Sequence, residues 1–258
     1  MSELLALATD VAHEAGAGLR EAFSRLGDGG LAIHAKSTPT DLVSEADVAT
    51  ERRIRARLET ARPDDAIMGE EGDDRPGTSG LRWVVDPLDG TVNFLFGLPQ
   101  WCVSVAVEDA DGALAGVVYD PMRDETFSAT RDGAATLDGA PLGPPARDEL
   151  ATALVATGFG YAADVREAQA RVLARLLPRV RDVRRLGAAA LDLAWAAAGR
   201  VDCYYERGVH HWDVAAGALI CARAGLAVRE LPPAPPAAAG LLVAPPALAD
   251  ELSAIVTD

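Results

Sequence analysis

The apolar positions of the chain change their period from segment to segment. Leu4, Leu7, Val11, Ala15, Leu19, Phe23 and Leu26 recur at three- and four-residue steps, which predicts an amphipathic helix over 3–26 with Gly27 placed to end it. Residues 33–36 read as a short strand. Ser44 followed three positions later by Asp47 resembles a capping box, and Val48, Ile54 and Leu58 give the inner face of a second helix running to about Leu58. Arg52, Arg53, Arg55 and Arg57 form its solvated face. Two short apolar runs, 66–68 and 81–85, read as buried strands, separated by an acidic, Gly/Pro/Ser-rich surface loop at 73–80. From Trp101 the period becomes two. Val103, Val105 and Val107 alternate, a turn follows at 109–112, the chain returns over 113–119, and 125–130 and 134–137 add further strands of an antiparallel meander.

Beyond a Pro/Gly-rich linker at 140–149 the elements alternate. Strands are expected at 154–157, 183–186 and 201–205, with Glu206 just past the last, and helices at 164–177, 187–198 and 214–224. A Pro-rich loop at 232–236, a strand at 241–244 and a helix from Ala247 complete the chain. The linker divides it into an N-terminal half, 1–145, and a C-terminal half, 146–258. The pattern alone gives a layered α/β or α+β arrangement, mixing antiparallel strands with strand–helix alternation.

With 258 residues, 49% of them hydrophobic, the chain can bury a sizeable core in one or two closely joined domains. The formal net charge of −15 excludes nucleic acid and anionic membrane as natural partners. A small anionic substrate would need local positive charge, which bound metal supplies. Cys102, Cys203 and Cys221 show no CxxC spacing, as expected of reduced thiols in a cytoplasmic protein. The start lacks a basic n-region and a continuous apolar stretch, and no run of eighteen apolar residues occurs anywhere. Lys36 is the only lysine and Asn93 the only asparagine, which marks both for attention.

The candidate chemistry centres on 83–94. Asp86 and Asp89 stand at the end of a buried strand around Pro87, and Gly90–Thr91 opens a short helix. Paired buried carboxylates call for a cation, and a hard divalent ion takes carboxylate and carbonyl oxygens. The first N–H groups of a helix suit an anion. Taken by itself the stretch is equally an Asx-rich turn. Glu70 also lies just beyond a strand, beside its solvated neighbour Glu71, and Asp213 reads as the N-cap of a helix of small residues. Four acids at element ends can meet at one edge of a layered fold. His210 and His211 are adjacent rather than spaced as zinc ligands, so Mg²⁺ is favoured over Zn²⁺. Lys36, Asp41 and Asp47 are either ordinary surface charge or a supporting shell to the metal site.

Gly69–Glu70–Glu71, the run from Trp83 to Phe94 and Trp212–Asp213–Val214–Ala215–Ala216–Gly217 resemble the signatures of the inositol monophosphatase family of Mg²⁺-dependent, lithium-sensitive sugar phosphatases. The 36–47, 187–194 and 201–206 segments resemble further family segments in the same order. The resemblance implies an αβαβα sandwich and a homodimer. It implies that Glu70, Asp86 and the Leu88 carbonyl hold one Mg²⁺, that Asp86, Asp89 and Asp213 hold a second, and that Glu70 with waters holds a third. It further implies that Glu70 and Thr91 position the attacking water, that the Gly90 and Thr91 amides bind phosphate, and that Gly187, Ala188, Ala189 and Glu206 form the substrate side with Asp213. The expected substrate is a phosphorylated polyol, inositol 1-phosphate first. Histidinol phosphate, fructose 1,6-bisphosphate and 3′-phosphoadenosine phosphate are alternatives, and a catalytically silent metal-binding regulator is the alternative outside the enzymes. Ala188 stands where the family has Thr or Ser, Arg223 where Glu is common, and Leu226 where Gly is common. These departures bear on substrate identity rather than on hydrolysis.

Overall fold

The structure is a computed structural model that describes residues 2–26, 33–35, 42–143 and 146–257. It begins with α1 (Ser2–Ser24), followed by a small antiparallel ladder of β1 (Ile33–Ala35) and β2 (Leu42–Ser44), and then α2 (Glu45–Ala61). A seven-stranded sheet comes next, in simple sequence order. It comprises β3 (Ala66–Gly69), β4 (Arg82–Asp89), β5 (Cys102–Asp109), β6 (Gly112–Asp120), β7 (Glu125–Thr130), β8 (Thr136–Leu137) and β9 (Ala140–Pro141). Only β3 and β4 run parallel, and the remainder is the meander that the period-two pattern predicts. The short α3 (Thr91–Leu95) is inserted between β4 and β5.

The second sheet has five strands in the order β11–β10–β12–β14–β13. Its strands are β10 (Leu154–Thr157), β11 (Asp182–Arg184), β12 (Cys203–Arg207), β13 (Ala227–Leu231) and β14 (Gly240–Ala244). Strand β10 is parallel to β11 and β12, whereas β14 runs antiparallel to β12 and β13. The helices of this half are α4 (Ala163–Leu176), α5 (Ala189–Ala197), α6 (His211–Arg223) and α7 (Pro246–Thr257).

Three apolar clusters stack these elements into five layers. Val11, Leu19, Ile54 and Leu58 pack α1 and α2 on one face of the larger sheet against Trp83, Val85, Val105 and Val117. On its other face Val84, Ala106, Val118 and Phe127 meet Leu191, Leu193, Ala216 and Ile220 of α5 and α6, which also touch Ala156, Tyr204 and Val243 of the smaller sheet. Leu176, Leu248 and Leu252 close the outer face of the smaller sheet. Alternate residues of β4 serve different layers because side chains in a strand alternate faces. The result is an αβαβα sandwich of mixed and antiparallel sheets, as the family resemblance implies.

Several boundaries differ from the sequence reading. Strand β13 is absent from it, because Arg229 and Glu230 break the apolar pattern at a sheet edge, where polar residues are the rule. Helix α6 starts at His211, so Asp213 is its third residue rather than its N-cap. Glu206 lies inside β12 instead of beyond it. The 73–80 loop is pinned where Arg75 exchanges two backbone hydrogen bonds with Ile67. Lys36 and Asp41 lie outside the described residues.

Candidate active site

Strand β4 continues through Pro87 to Asp89, but its pairing with β5 slips between Asp86 and Asp89. The irregularity removes the need for a ladder N–H at the proline and re-aims the side chains around it. Asp86, 1% exposed, accepts from the Leu88 amide at 3.0 Å. Asp89 accepts from the amides of Ala189 at 3.0 Å and Ala190 at 2.7 Å, the opening residues of α5. One acid thus caps a helix that belongs to the other half of the chain. Gly90 has φ of 93°, and a Cβ there would stand 2.9 Å from the Gln100 carbonyl oxygen, so only glycine makes this corner. Thr91 follows, with its hydroxyl 2.8 Å from Oδ1 of the buried Asp47 and 3.1 Å from the Leu88 carbonyl oxygen.

The segment that carries Glu70 is anchored to α2 at its neighbour Glu71. The buried Glu51 accepts from the Glu71 amide at 2.7 Å and pairs with Arg55 at 2.6 Å. Its carboxylate fills the space that a Cβ on Gly69 would need, which explains a glycine before the two glutamates. Oδ2 of Asp213 accepts from the His210 amide at 2.6 Å and fixes the first turn of α6.

These pieces surround one cavity of about 600 Å³. Glu70, Asp86, Asp89 and Asp213 all line it, and so does Glu206. Burial pushes the Asp86 carboxyl well above the usual carboxylate range, and the charges of Glu70, Asp89 and Asp213 push it further. Burial does the same to Asp213, with Asp89 and Glu70 adding to it. Asp89 is raised to about 6 by burial against the pull of its amide donors. Burial raises Glu206 to about 7, opposed by the nearby Arg185 charge and by the Tyr204 hydroxyl, which donates to it at 3.1 Å. The acids therefore share one electrostatic environment.

The model of the inositol monophosphatase family matches residues 1–256. The chain belongs to this family. An inositol-1-monophosphatase SuhB of Mycobacterium tuberculosis is 48% identical over 271 residues, covering 98% of this chain and 93% of that protein. A protein named Nus factor SuhB from Pasteurella multocida is 39% identical over 227 residues, covering 87% and 84%. The solved structure of extragenic suppressor protein suhB from Bartonella henselae superposes with a TM-score of 0.91 at 30% identity, covering 99% of both chains.

Within this family member the cavity gathers Glu70, Asp86, Leu88, Asp89, Gly90, Thr91, Gly187, Ala189, Glu206 and Asp213 from positions spread over most of the sequence. Ala188 is not in its wall. It is 1% exposed, and a Cβ on Gly90 would stand 3.2 Å from its methyl carbon. Among the described residues, no three His, Cys, Asp or Glu side chains form a ready metal-holding cluster. The four acids ring the cavity, and Asp86, Asp89 and Asp213 are each turned by a backbone N–H. Sequence reasoning missed Phe159, Tyr161, Arg185 and His210 in the wall, and Glu51, which anchors the segment at Glu71. The His210 ring stacks on Trp212 with centroids 4.7 Å apart. Asn93 had a signal, as the lone asparagine. Its Nδ2 donates to the carbonyls of Gln100 and Leu186, both at 2.7 Å, and so ties α3 to the segment before α5.

Proposed function

We propose that this chain is a Mg²⁺-dependent phosphomonoesterase that hydrolyses inositol 1-phosphate, or a closely related polyol phosphate, to the alcohol and phosphate. The observation that carries this reading is the meeting of Glu70, Asp86, Asp89, Asp213, Gly90, Thr91 and Glu206 in one cavity. The donor set fits a hard divalent cation, because the neighbouring charges that act on Asp86 are acidic and the site offers carboxylate and carbonyl oxygens.

Glu70, Asp86 and the Leu88 carbonyl would hold one Mg²⁺, Asp86, Asp89 and Asp213 a second, and Glu70 a third. When bound, such ions lower the pKa of water and offset charge on the phosphate and leaving oxygen. The chain's own groups do the positioning. The Thr91 hydroxyl directs its proton toward Asp47 or the Leu88 carbonyl, which leaves its lone pairs to accept from a water that Glu70 also orients. The amides at the start of α3 donate to the phosphate. Glu206, with Tyr204 on one oxygen, accepts a substrate hydroxyl through the other.

The test is phosphate release from a panel of inositol 1-phosphate, histidinol phosphate, fructose 1,6-bisphosphate and 3′-phosphoadenosine phosphate with millimolar Mg²⁺. Inositol 1-phosphate should be hydrolysed best, and Asp213→Asn, whose amide oxygen still accepts from His210, should cut turnover at least a hundredfold. Release from none of the esters would overturn the reading. It would favour a non-catalytic regulator, a role suggested by the relatives named Nus factor SuhB. A homodimer is proposed with the enzyme reading, and sedimentation velocity tests it.

A further inference from the structure

Two arginines line the cavity, and they are spent differently. Arg207 is buried on β12 and donates to the Pro232 carbonyl. Arg185 is exposed and makes no hydrogen bond to another described residue. Its guanidinium lies 6.0 Å from the centroid of Phe159, which can hold the planar group by its face while leaving the N–H edge available. Gly187 makes room for this pose. Its φ is 90°, and a Cβ there would collide with Nη1 of Arg185.

The surroundings of Arg185 define what it can bind. It opposes the burial-driven rise of Glu206 and of Asp192, so its charge falls on both acids. A carboxylate that accepts and a guanidinium that donates, in the lining of one cavity and within reach of each other's charge, match adjacent hydroxyl groups, each of which can donate and accept. A second phosphate would gain from Arg185 but meet Glu206 and the other acids of the cavity. A neutral polyol meets no such repulsion.

We propose that Arg185 is a specificity-determining residue of the site, donating to hydroxyl oxygens of the polyol whose neighbouring hydroxyl Glu206 accepts. The proposal rests on the phosphatase reading given above and names the part of the substrate that Arg185 and Glu206 read. Ala188 contributes no hydroxyl to the cavity, so the recognition falls on charged groups flanking Gly187.

The experiment compares Arg185→Ala and Arg185→Lys with the unaltered protein in millimolar Mg²⁺ on three esters. These are inositol 1-phosphate, 4-nitrophenyl phosphate (which has no hydroxyls) and fructose 1,6-bisphosphate. For Arg185→Ala, kcat/KM on inositol 1-phosphate relative to 4-nitrophenyl phosphate should fall about tenfold or more, the scale of a charge-assisted hydrogen bond. The loss should appear mainly in KM, and product inhibition by free inositol should weaken with it. Arg185→Lys, which keeps the charge without the fork, should lie between. An unchanged ratio overturns the proposal, as does an equal loss on inositol 1-phosphate and 4-nitrophenyl phosphate. A loss confined to fructose 1,6-bisphosphate overturns it in favour of a second phosphate at Arg185. Hydrolysis of no ester by the unaltered protein defeats the phosphatase reading itself and this inference with it, an outcome distinct from an active enzyme with an unchanged ratio.

Discussion

The Thr91 hydroxyl lies 2.8 Å from Oδ1 of Asp47, 44 positions earlier in the chain and 0% exposed. A buried acid on α2 thereby sets the direction of a hydroxyl at the mouth of α3. Removing either partner should lower kcat on inositol 1-phosphate about 10²–10⁴-fold, the range for a positioned proton-handling group, with a smaller change in KM. The double variant Asp47→Ala/Thr91→Ala should be little worse than either single variant, since both break one unit. Additive losses in a steady-state double-mutant cycle would show that the two act separately.

Asn93 spends both N–H donors on carbonyls from different segments, Gln100 and Leu186. Asn93→Asp faces those carbonyls with carboxylate oxygens and should cost about 1–3 kcal/mol of stability through two lost bonds and a repulsive contact. Because Leu186 adjoins Gly187 in the cavity wall, kcat/KM should fall as well. Denaturant unfolding and steady-state kinetics on the same preparation check both effects.

Glu206 titrates at about 7 inside the fold against 4.5 for an ordinary glutamate. The folded state therefore holds its proton where the unfolded state has lost it, and this group's contribution to stability falls as pH rises from about 4.5 to about 7, then levels off. Glu206→Gln should raise the Tm at pH 8 by about 2–6 °C, with the gain shrinking toward pH 5. Calorimetry in EDTA across that range is the check. A gain independent of pH would point to packing rather than charge.

Asp65 behaves in the opposite sense. Burial would raise it, but hydrogen bonds from Arg62, Ser79 and the Trp83 indole outweigh burial and hold it below the usual carboxylate value. Its contribution is fully present above the unfolded pKa near 4 and is lost as pH falls through the depressed folded value. Asp65→Ala strands the Trp83 Nε1 donor, which now bonds at 2.9 Å, and should cost about 2–4 kcal/mol at pH 7 with a smaller penalty near pH 3. Urea titrations at both pH values measure it.

What the sequence made legible follows physical rules that act locally. The period of two in Val103, Val105 and Val107 gave the meander, and the steps from Leu4 to Leu26 gave α1, because burial of one face writes itself into spacing. The acids at 70, 86, 89 and 213 could be picked out because a carboxylate beside a buried strand needs an explanation. Other features depend on contacts between distant segments. Nothing near Ala188 says that it is buried against Gly90 while Ala189 lines the cavity, since a one-residue difference at a helix start decides it. Arg185 reads as one of many arginines until Phe159 is seen against its guanidinium and Glu206 in the same cavity. Asp213 reads as an N-cap because the small residues of its helix follow it, whereas the first turn begins at His211, with His210 as the N-cap.

Asp89 has one consequence that reaches past chemistry. Its carboxylate is both part of the cavity wall and the latch that receives the leading amides of α5, a helix wedged between the two sheets. The sheets cannot slide apart along this seam without first dismantling the place where the acids gather. Mechanical integrity and the pocket are thus guarded by the same two oxygens, and a change that loosens one undoes the other.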